Sequence, residues 1–113
     1  MNPNELIHRP RGFKPLVSGI EGPEGPALGP DGCMYFVSAD NANILKITSD
    51  DQVSTVLTIS GRPNGLAFGN DGELYIADAG SKSILRYSGK GQPEVYTDNY
   101  GGASFSGPND ICV

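Results

Sequence analysis

The chain has 113 residues and a formal net charge of −5, from 8 Lys and Arg against 13 Asp and Glu. This acidic balance lacks a basic stripe and argues against nucleic-acid binding, and no apolar run approaches the ~20 residues of a membrane helix. The first fifteen residues contain no apolar signal-peptide stretch, so we expect a cytoplasmic protein. Cys33 and Cys112 lie in apolar runs and are interpreted as buried free thiols.

An internal repeat organises the chain. Residues 23–47 align with residues 63–87, forty positions later, without a gap, and ten of the 25 positions are identical. The identical pairs are Pro23/Pro63, Gly25/Gly65, Ala27/Ala67, Gly29/Gly69, Asp31/Asp71, Gly32/Gly72, Tyr35/Tyr75, Ala39/Ala79, Ile44/Ile84 and Leu45/Leu85. A third copy begins at Pro108, and the extra residues before it lie in the Gly- and Ser-rich stretch 99–107.

Each repeat predicts four short strands and essentially no helix. Asp-Gly between apolar runs favours a tight hairpin, because the turn needs a positive φ that glycine supplies at low cost. No ten-residue segment shows a sustained helical period with capping residues. The first predicted strand ends at 27–28 in one repeat and 67–68 in the other; the later strands span 33–37, 43–47 and 53–59, then 73–77, 83–87 and 94–97.

Four antiparallel strands every 40–45 residues predict an all-β fold of β-propeller blades. We divide the chain into an N-terminal arm (1–13), a closing strand (14–20), blade 1 (21–61), blade 2 (62–107) and the first strand of blade 3 (108–113). Known propellers have about four to eight blades. We therefore expect the chain to be an N-terminal fragment of a longer ring; the alternative is that several copies assemble to close one.

Three oxygen-bearing side chains occupy one repeat position. Glu24, Asn64 and Asn109 each follow the proline that opens an inner strand, so they are expected at one height around the axis. A carboxylate with amide oxygens suits a hard cation such as Ca²⁺, whereas Zn²⁺ would need Cys or His. The alternative is that Pro-Asn-Gly and Gly-Pro-Asn-Asp are ordinary turn sequences.

Three elements together carry a family resemblance. Glu24-Gly-Pro-Ala, Arg62-Pro-Asn-Gly-Leu-Ala-Phe and Gly107-Pro-Asn-Asp-Ile resemble the senescence marker protein, gluconolactonase and luciferin-regenerating enzyme-like family. The resemblance implies a six-bladed propeller that opens a small lactone or ester with Ca²⁺ or another divalent cation.

By position, the resemblance implies that Glu24 is a metal ligand and that Asn109 lies at the metal or contacts substrate. Asn64 is a weaker candidate for substrate contact, and Glu21 is a rival to Glu24. The family's later ligands have no counterpart here, so no general base is assigned. Asp110 and the hairpin or strand-end residues Asp31, Asp40, Asp71 and Asp78 are interpreted as structural.

A competing interpretation belongs to another class of protein. The run from Leu74 to Tyr87 also resembles an NHL-type repeat, which occurs in propellers that bind partners without catalysis. Such a module has no need of an acidic residue at position 24. Calcium titration of the Glu24→Gln variant separates the two functions.

Overall fold

The computed structural model describes residues 14–113, so the predicted N-terminal arm lies outside the described residues. The described chain forms two four-stranded antiparallel sheets and one small hairpin. The first sheet contains β1 (Pro23–Leu28), β2 (Met34–Ser38), β3 (Asn43–Ile47) and β4 (Val53–Thr58). The second contains β5 (Pro63–Phe68), β6 (Leu74–Asp78), β7 (Ser83–Tyr87) and β8 (Glu94–Thr97). β9 (Asn99–Tyr100) and β10 (Ala103–Ser104) form the hairpin.

The all-β prediction and the four-stranded blades are confirmed, because each sheet follows chain order from its first strand to its fourth. The third strand of each repeat has the predicted bounds, and β4 ends one residue earlier than predicted. A single 3₁₀ turn at Ala39–Asn41 was not predicted. Three residues are too few to show a helical period, and the turn ends at Ala42, where φ is +55°.

The repeated Asp-Gly hairpins explain several of the identities between the two blades. Asp31 accepts a hydrogen bond from the Cys33 N–H at 3.0 Å and another from the Tyr35 hydroxyl at 2.7 Å. The Tyr35 ring then lies so close to Gly29 that a Cβ there would stand 2.5 Å from the ring. Asp71 and Tyr75 repeat the arrangement in the second blade, so Gly, Asp and Tyr are required together.

The two blades pack face to face around one hydrophobic core. β1 and β2 both pack against β5, and the Tyr35 and Phe68 rings meet edge to face with centroids 4.9 Å apart. The core draws on both sheets; its buried members are Val37, Ile44, Leu57, Ile59, Leu66, Leu74, Ile76, Leu85 and Tyr87. Each blade therefore buries its apolar surface against its neighbour, as repeat architectures do.

The two terminal segments differ from the prediction. Residues 14–20 and 108–113 were expected as strands, but neither forms one. A strand requires a hydrogen-bonded neighbour, and within residues 14–113 neither segment is paired with a strand of either sheet. Residues 16–20 instead line a cleft on the outer face of blade 1.

The cysteines also differ from the prediction. Both are free thiols, but Cys33 is half-buried and Cys112 is exposed. Cys112 lies in the unpaired segment 108–113, where no further sheet covers it among the described residues. Over residues 14–113, no helix has the length and apolar character needed to cross a membrane.

Candidate cation-binding cleft

A break in strand pairing marks the start of both inner strands. The register of β1 against β2 shifts between Glu24 and Ala27, and that of β5 against β6 shifts between Pro63 and Gly65. Such bulges bend a strand locally and re-aim side chains, and they are common beside functional sites. Glu24 and Asn64 therefore lie at equivalent distortions at the same end of the two blades.

Glycine lets these inner strands approach each other closely. A Cβ on Gly25 would stand 2.8 Å from both the Asn64 carbonyl oxygen and the Gly65 Cα. A Cβ on Gly65 would stand 2.9 Å from the Asn109 carbonyl oxygen and the Asp110 Cα. The same contact thus recurs between the first and second inner strands and between the second strand and residues 109–110. This repetition brings the three repeats to one place.

A cleft of about 370 Å³ opens where the three repeats meet. It is lined by Glu24, Gly25, Pro26, Asn64, Asn109 and Asp110. All three side chains that the repeat register singled out therefore border one cleft. Glu21 is not among its lining residues; its backbone carbonyl accepts a hydrogen bond from the Ser38 hydroxyl at 2.5 Å. The geometry favours Glu24 over Glu21 as the candidate ligand.

The donor set of the cleft consists of oxygen atoms. Glu24 and Asp110 supply carboxylates, Asn64 and Asn109 supply amide oxygens, and the cleft has no His or Cys in its lining. This composition fits a hard cation that prefers oxygen ligands and tolerates irregular geometry. Over the described residues, no three His, Cys, Asp or Glu side chains come together as a metal cluster. A cation here would therefore need an amide oxygen as well as a carboxylate.

Asp110 is the residue of the cleft that sequence reasoning treated as structural. Its Oδ1 does accept a hydrogen bond from the Ile111 N–H at 2.9 Å, as a turn residue would. It also stands at the repeat position that glycine occupies in the first two copies, Gly25 and Gly65. The replacement of glycine by aspartate at this repeat position is the sequence signal that could have identified Asp110 as a cleft residue, because it places a second carboxylate in the cleft.

Hydrogen bonds to the buried Asp78 side chain fix the segment that precedes Asn64. Asp78 is 2% exposed, and its carboxylate accepts hydrogen bonds from the Arg62 N–H at 2.7 Å, the Gly80 N–H at 3.0 Å and the Ser81 hydroxyl at 2.6 Å. The segment that leads into β5 is therefore fixed to the loop after β6. This agrees with the structural role that the sequence predicts for Asp78.

Comparisons with known proteins agree with this fold. The NHL repeat family matches residues 61–87, and no curated protein sequence matches the chain. A gluconolactonase from Xanthomonas campestris superposes with a TM-score of 0.82 at 24% identity, over 87% of this chain and 33% of its own. A second structure, of a protein assigned as a gluconolactonase, gives 0.80 at 24% identity, over 96% of this chain and 39% of its own.

A virginiamycin B lyase from Staphylococcus aureus has a similar fold, with a TM-score of 0.66 at 22% identity over 88% of this chain and 33% of its own. The chain thus spans about a third of the length of these solved structures. The fold and the comparisons define a β-propeller protein with two complete blades. The likeness to the gluconolactonase structures supports the propeller fold.

Proposed function

We propose that the cleft binds a divalent cation, Ca²⁺ in the first instance, and that it forms part of the active site of a lactonase-type hydrolase. The observation that supports this is the convergence of Glu24, Asn64 and Asn109, from three successive repeats, on one cleft. Glu24 and Asn109 are the proposed metal ligands. Asn64 and Asn109 are the proposed substrate contacts. The structural likeness to gluconolactonases supports the choice of a lactone or related ester as substrate.

The negative charge of the cleft supports cation binding independently of the proposed reaction. Glu24 and Asp110 are exposed carboxylates that line the same small space. Two negative charges repel each other, and a divalent cation between oxygen donors removes that repulsion. In this proposal Glu24 supplies the charge, and the Asn109 amide oxygen is the second ligand that the protein provides.

In the proposed reaction, water adds to the lactone carbonyl carbon and the ring C–O bond breaks, giving a hydroxy acid. A divalent cation held by Glu24 and Asn109 would supply Lewis-acid polarisation of the carbonyl oxygen. The side-chain amides of Asn64 and Asn109 donate hydrogen bonds that orient the substrate's oxygens. Asp110 is already bonded to the Ile111 N–H, and we assign no general base among the described residues.

Calcium titration by calorimetry tests the cation site directly. Glu24→Gln removes the charge of the proposed ligand while keeping its size, so we expect at least a tenfold loss of Ca²⁺ affinity. Glu21→Gln is the matched control, because Glu21 is an exposed glutamate three residues away that does not line the cleft. The Ca²⁺ affinity of the Glu21→Gln variant should stay within about twofold of that of the parent chain. Equal affinity in the Glu24→Gln variant and the parent chain would overturn the proposal.

A second candidate function follows from the NHL match to residues 61–87. NHL-type repeats occur in propellers that serve as non-catalytic binding modules. Failure of the parent chain to bind Ca²⁺, together with unchanged behaviour of Glu24→Gln, would favour a binding module. Calcium-dependent binding of a lactone, followed by chemical-shift changes at Asn64 and Asn109, would favour the hydrolase.

A further inference from the structure

A second cavity lies between the two blades, near the end of β1 that is opposite to the candidate cation-binding cleft. This interblade cavity has a volume of about 280 Å³, close to that of the smallest ligand pockets. Blade 1 contributes the charged residues Asp31 and Lys46 to its lining. An apolar wall comes from both blades; its members are Val56, Phe68, Leu74 and Tyr87. The cavity is therefore built by elements that this chain already contains.

The cation of the interblade cavity has fewer carboxylates around it than its repeat equivalent in blade 2. Arg86 stands forty positions after Lys46. Its guanidinium pairs with two glutamates, at 3.1 Å from Glu73 and 2.6 Å from Glu94. The blade 1 positions equivalent to these glutamates carry no carboxylate; they are Cys33 and Ser54. The strand register confirms the second equivalence, since Lys46 lies opposite Ser54 as Arg86 lies opposite Glu94.

Lys46 therefore has N–H donors left for a ligand. Among residues 14–113 its one ion-pair partner is Asp31, at 3.5 Å, and its Nζ lies 5.8 Å from the centre of the Tyr35 ring. Asp31 already accepts hydrogen bonds from the Cys33 N–H and the Tyr35 hydroxyl. An ammonium group has three N–H donors, so one carboxylate at this distance leaves room for a second acceptor.

The wall from blade 2 suits an apolar body with an acceptor group on it. The Phe68 ring and the Leu74 side chain border the cavity. Tyr87 borders it as well and is only 8% exposed. Within residues 14–113 the Tyr87 hydroxyl makes no hydrogen bond, although the hydroxyl of a buried tyrosine usually has a partner. The cavity thus offers two donor groups, one of them charged, beside apolar surface.

We propose that the interblade cavity binds a small aromatic monocarboxylate, with the ligand's carboxylate on Lys46 and its ring against the apolar wall. The ligand's carboxylate takes the part that Glu94 plays for Arg86 in blade 2. Two carboxylates around one cation already occur there, so the neighbouring Asp31 is compatible with a ligand carboxylate on Lys46. The candidate cation-binding cleft lies at the other end of β1, so this proposal does not rest on the proposed function.

Titration of the full chain with benzoate, followed by amide chemical shifts, tests the proposal. Chelator in the buffer keeps the result independent of the candidate cation-binding cleft. We expect saturable shifts at Ser88 and Gly89, which line the cavity, with a Kd of about 1 mM. Benzamide has the same ring without the charge and should bind at least tenfold more weakly. Equal binding of the two compounds, or no saturation by about 20 mM benzoate, would refute the proposal.

Two variants of blade 1 test the role of the lysine. Lys46→Met keeps an apolar side chain and removes the charge, so benzoate should bind at least tenfold more weakly. Lys82→Met is the matched control, because Lys82 is exposed and does not line the cavity; its benzoate affinity should stay within about twofold of that of the parent chain. An equal effect of these two lysine variants would contradict the assignment of Lys46.

Ser54→Glu gives blade 1 the carboxylate that Glu94 supplies in blade 2. It should pair with Lys46 and so weaken benzoate binding by competition, without removing any residue that lines the cavity. Circular dichroism establishes that each variant keeps its sheet content. Unchanged benzoate affinity in a folded Ser54→Glu variant would show that the ligand's carboxylate does not lie on Lys46.

Discussion

The Arg62 N–H donates a 2.7 Å hydrogen bond to the buried carboxylate of Asp78 and so ties the entry of β5 to the end of β6. Asp78→Ala would leave this N–H and the Gly80 N–H without their acceptor. An unsatisfied donor costs about 1–3 kcal/mol when it is buried, and these two hydrogen bonds are partly buried, so we expect a destabilisation of about 1–3 kcal/mol. Urea denaturation followed by circular dichroism measures the change.

Ser38→Ala is the control for that variant, since Ser38 holds the equivalent position in blade 1. Its hydroxyl donates to the Glu21 carbonyl and accepts from the Asn41 side chain at 3.1 Å. Ser38 has a neutral hydroxyl where Asp78 has a carboxylate, so Ser38→Ala should lower the free energy of unfolding by only about 1 kcal/mol. A loss for Ser38→Ala as large as that for Asp78→Ala would contradict the importance assigned to the carboxylate.

Gly25→Ala tests the close approach of the inner strands. Gly25 has a φ of +59° and a neighbouring carbonyl oxygen 2.8 Å from any added Cβ, so both strain and a clash with backbone oppose the substitution. Gly32→Ala is the matched control: its φ is +80°, and no atom lies within 4 Å of the added Cβ. Gly32→Ala should cost about 1–2 kcal/mol from strain alone, and Gly25→Ala should cost clearly more. Equal losses would show that the inner strands are not held at this distance.

The Tyr35 hydroxyl gives a pH-dependent test of the hairpin in blade 1. Burial, together with the hydrogen bond to Asp31, raises the pKa of Tyr35 to about 12 from its usual 10.0. The folded protein therefore keeps this proton longer than the unfolded chain, so the free energy of unfolding should fall as pH rises from about 10 to about 12. This contribution is fully present below pH 10. Tyr35→Phe should abolish this part of the pH dependence; its persistence would assign the loss to another group.

The hydrogen bond between Tyr35 and Asp31 also affects stability at acidic pH. Tyr35 is the main reason that the pKa of Asp31 lies below its usual 3.8, with the Cys33 N–H as the second contributor. A lowered pKa stabilises the folded state above the usual value, and this stabilisation is lost as pH falls through the lowered one. Tyr35→Phe should therefore move the pKa of Asp31 back toward 3.8, as measured by carboxyl chemical shifts. A carboxyl titration that does not move in this variant would contradict the contact.

The ion pair between Arg62 and Asp40 should matter little to stability. The two side chains lie 3.2 Å apart, and both are about half exposed. Exposed pairs of this kind contribute about 0–1 kcal/mol. Asp40→Asn should therefore change the free energy of unfolding by less than about 1 kcal/mol, with a smaller effect at high salt. A larger loss would mean that Asp40 supports the loop in another way, for example through its contact with Gly22.

Local chemistry repeated at a fixed spacing made most of the fold predictable. Asp31, Gly32 and Tyr35 define a hairpin by themselves, and their recurrence forty residues later gave the blade and its strand order. Glu24, Asn64 and Asn109, which share one repeat position, line one cleft because equivalent residues of a repeat occupy equivalent places.

Features that depend on packing between segments were not predictable in this way. Strands at 14–20 and 108–113 require hydrogen-bonded neighbours, and propensity alone does not supply them. The β9–β10 hairpin lies in a stretch rich in Gly and Ser, where no alternation of apolar and polar residues marks a strand. The contact of Asp78 with Arg62 spans sixteen residues and has no local signature.

The β9–β10 hairpin is closed by its own hydrogen bond, from the Phe105 N–H to the Asp98 carbonyl at 3.0 Å. Residues added between those two positions would lengthen the hairpin, which belongs to neither four-stranded sheet. This hairpin can therefore change in length over evolutionary time while the blades keep their arrangement in space. Diversity among related proteins should concentrate in it, just before the asparagine that borders the cleft.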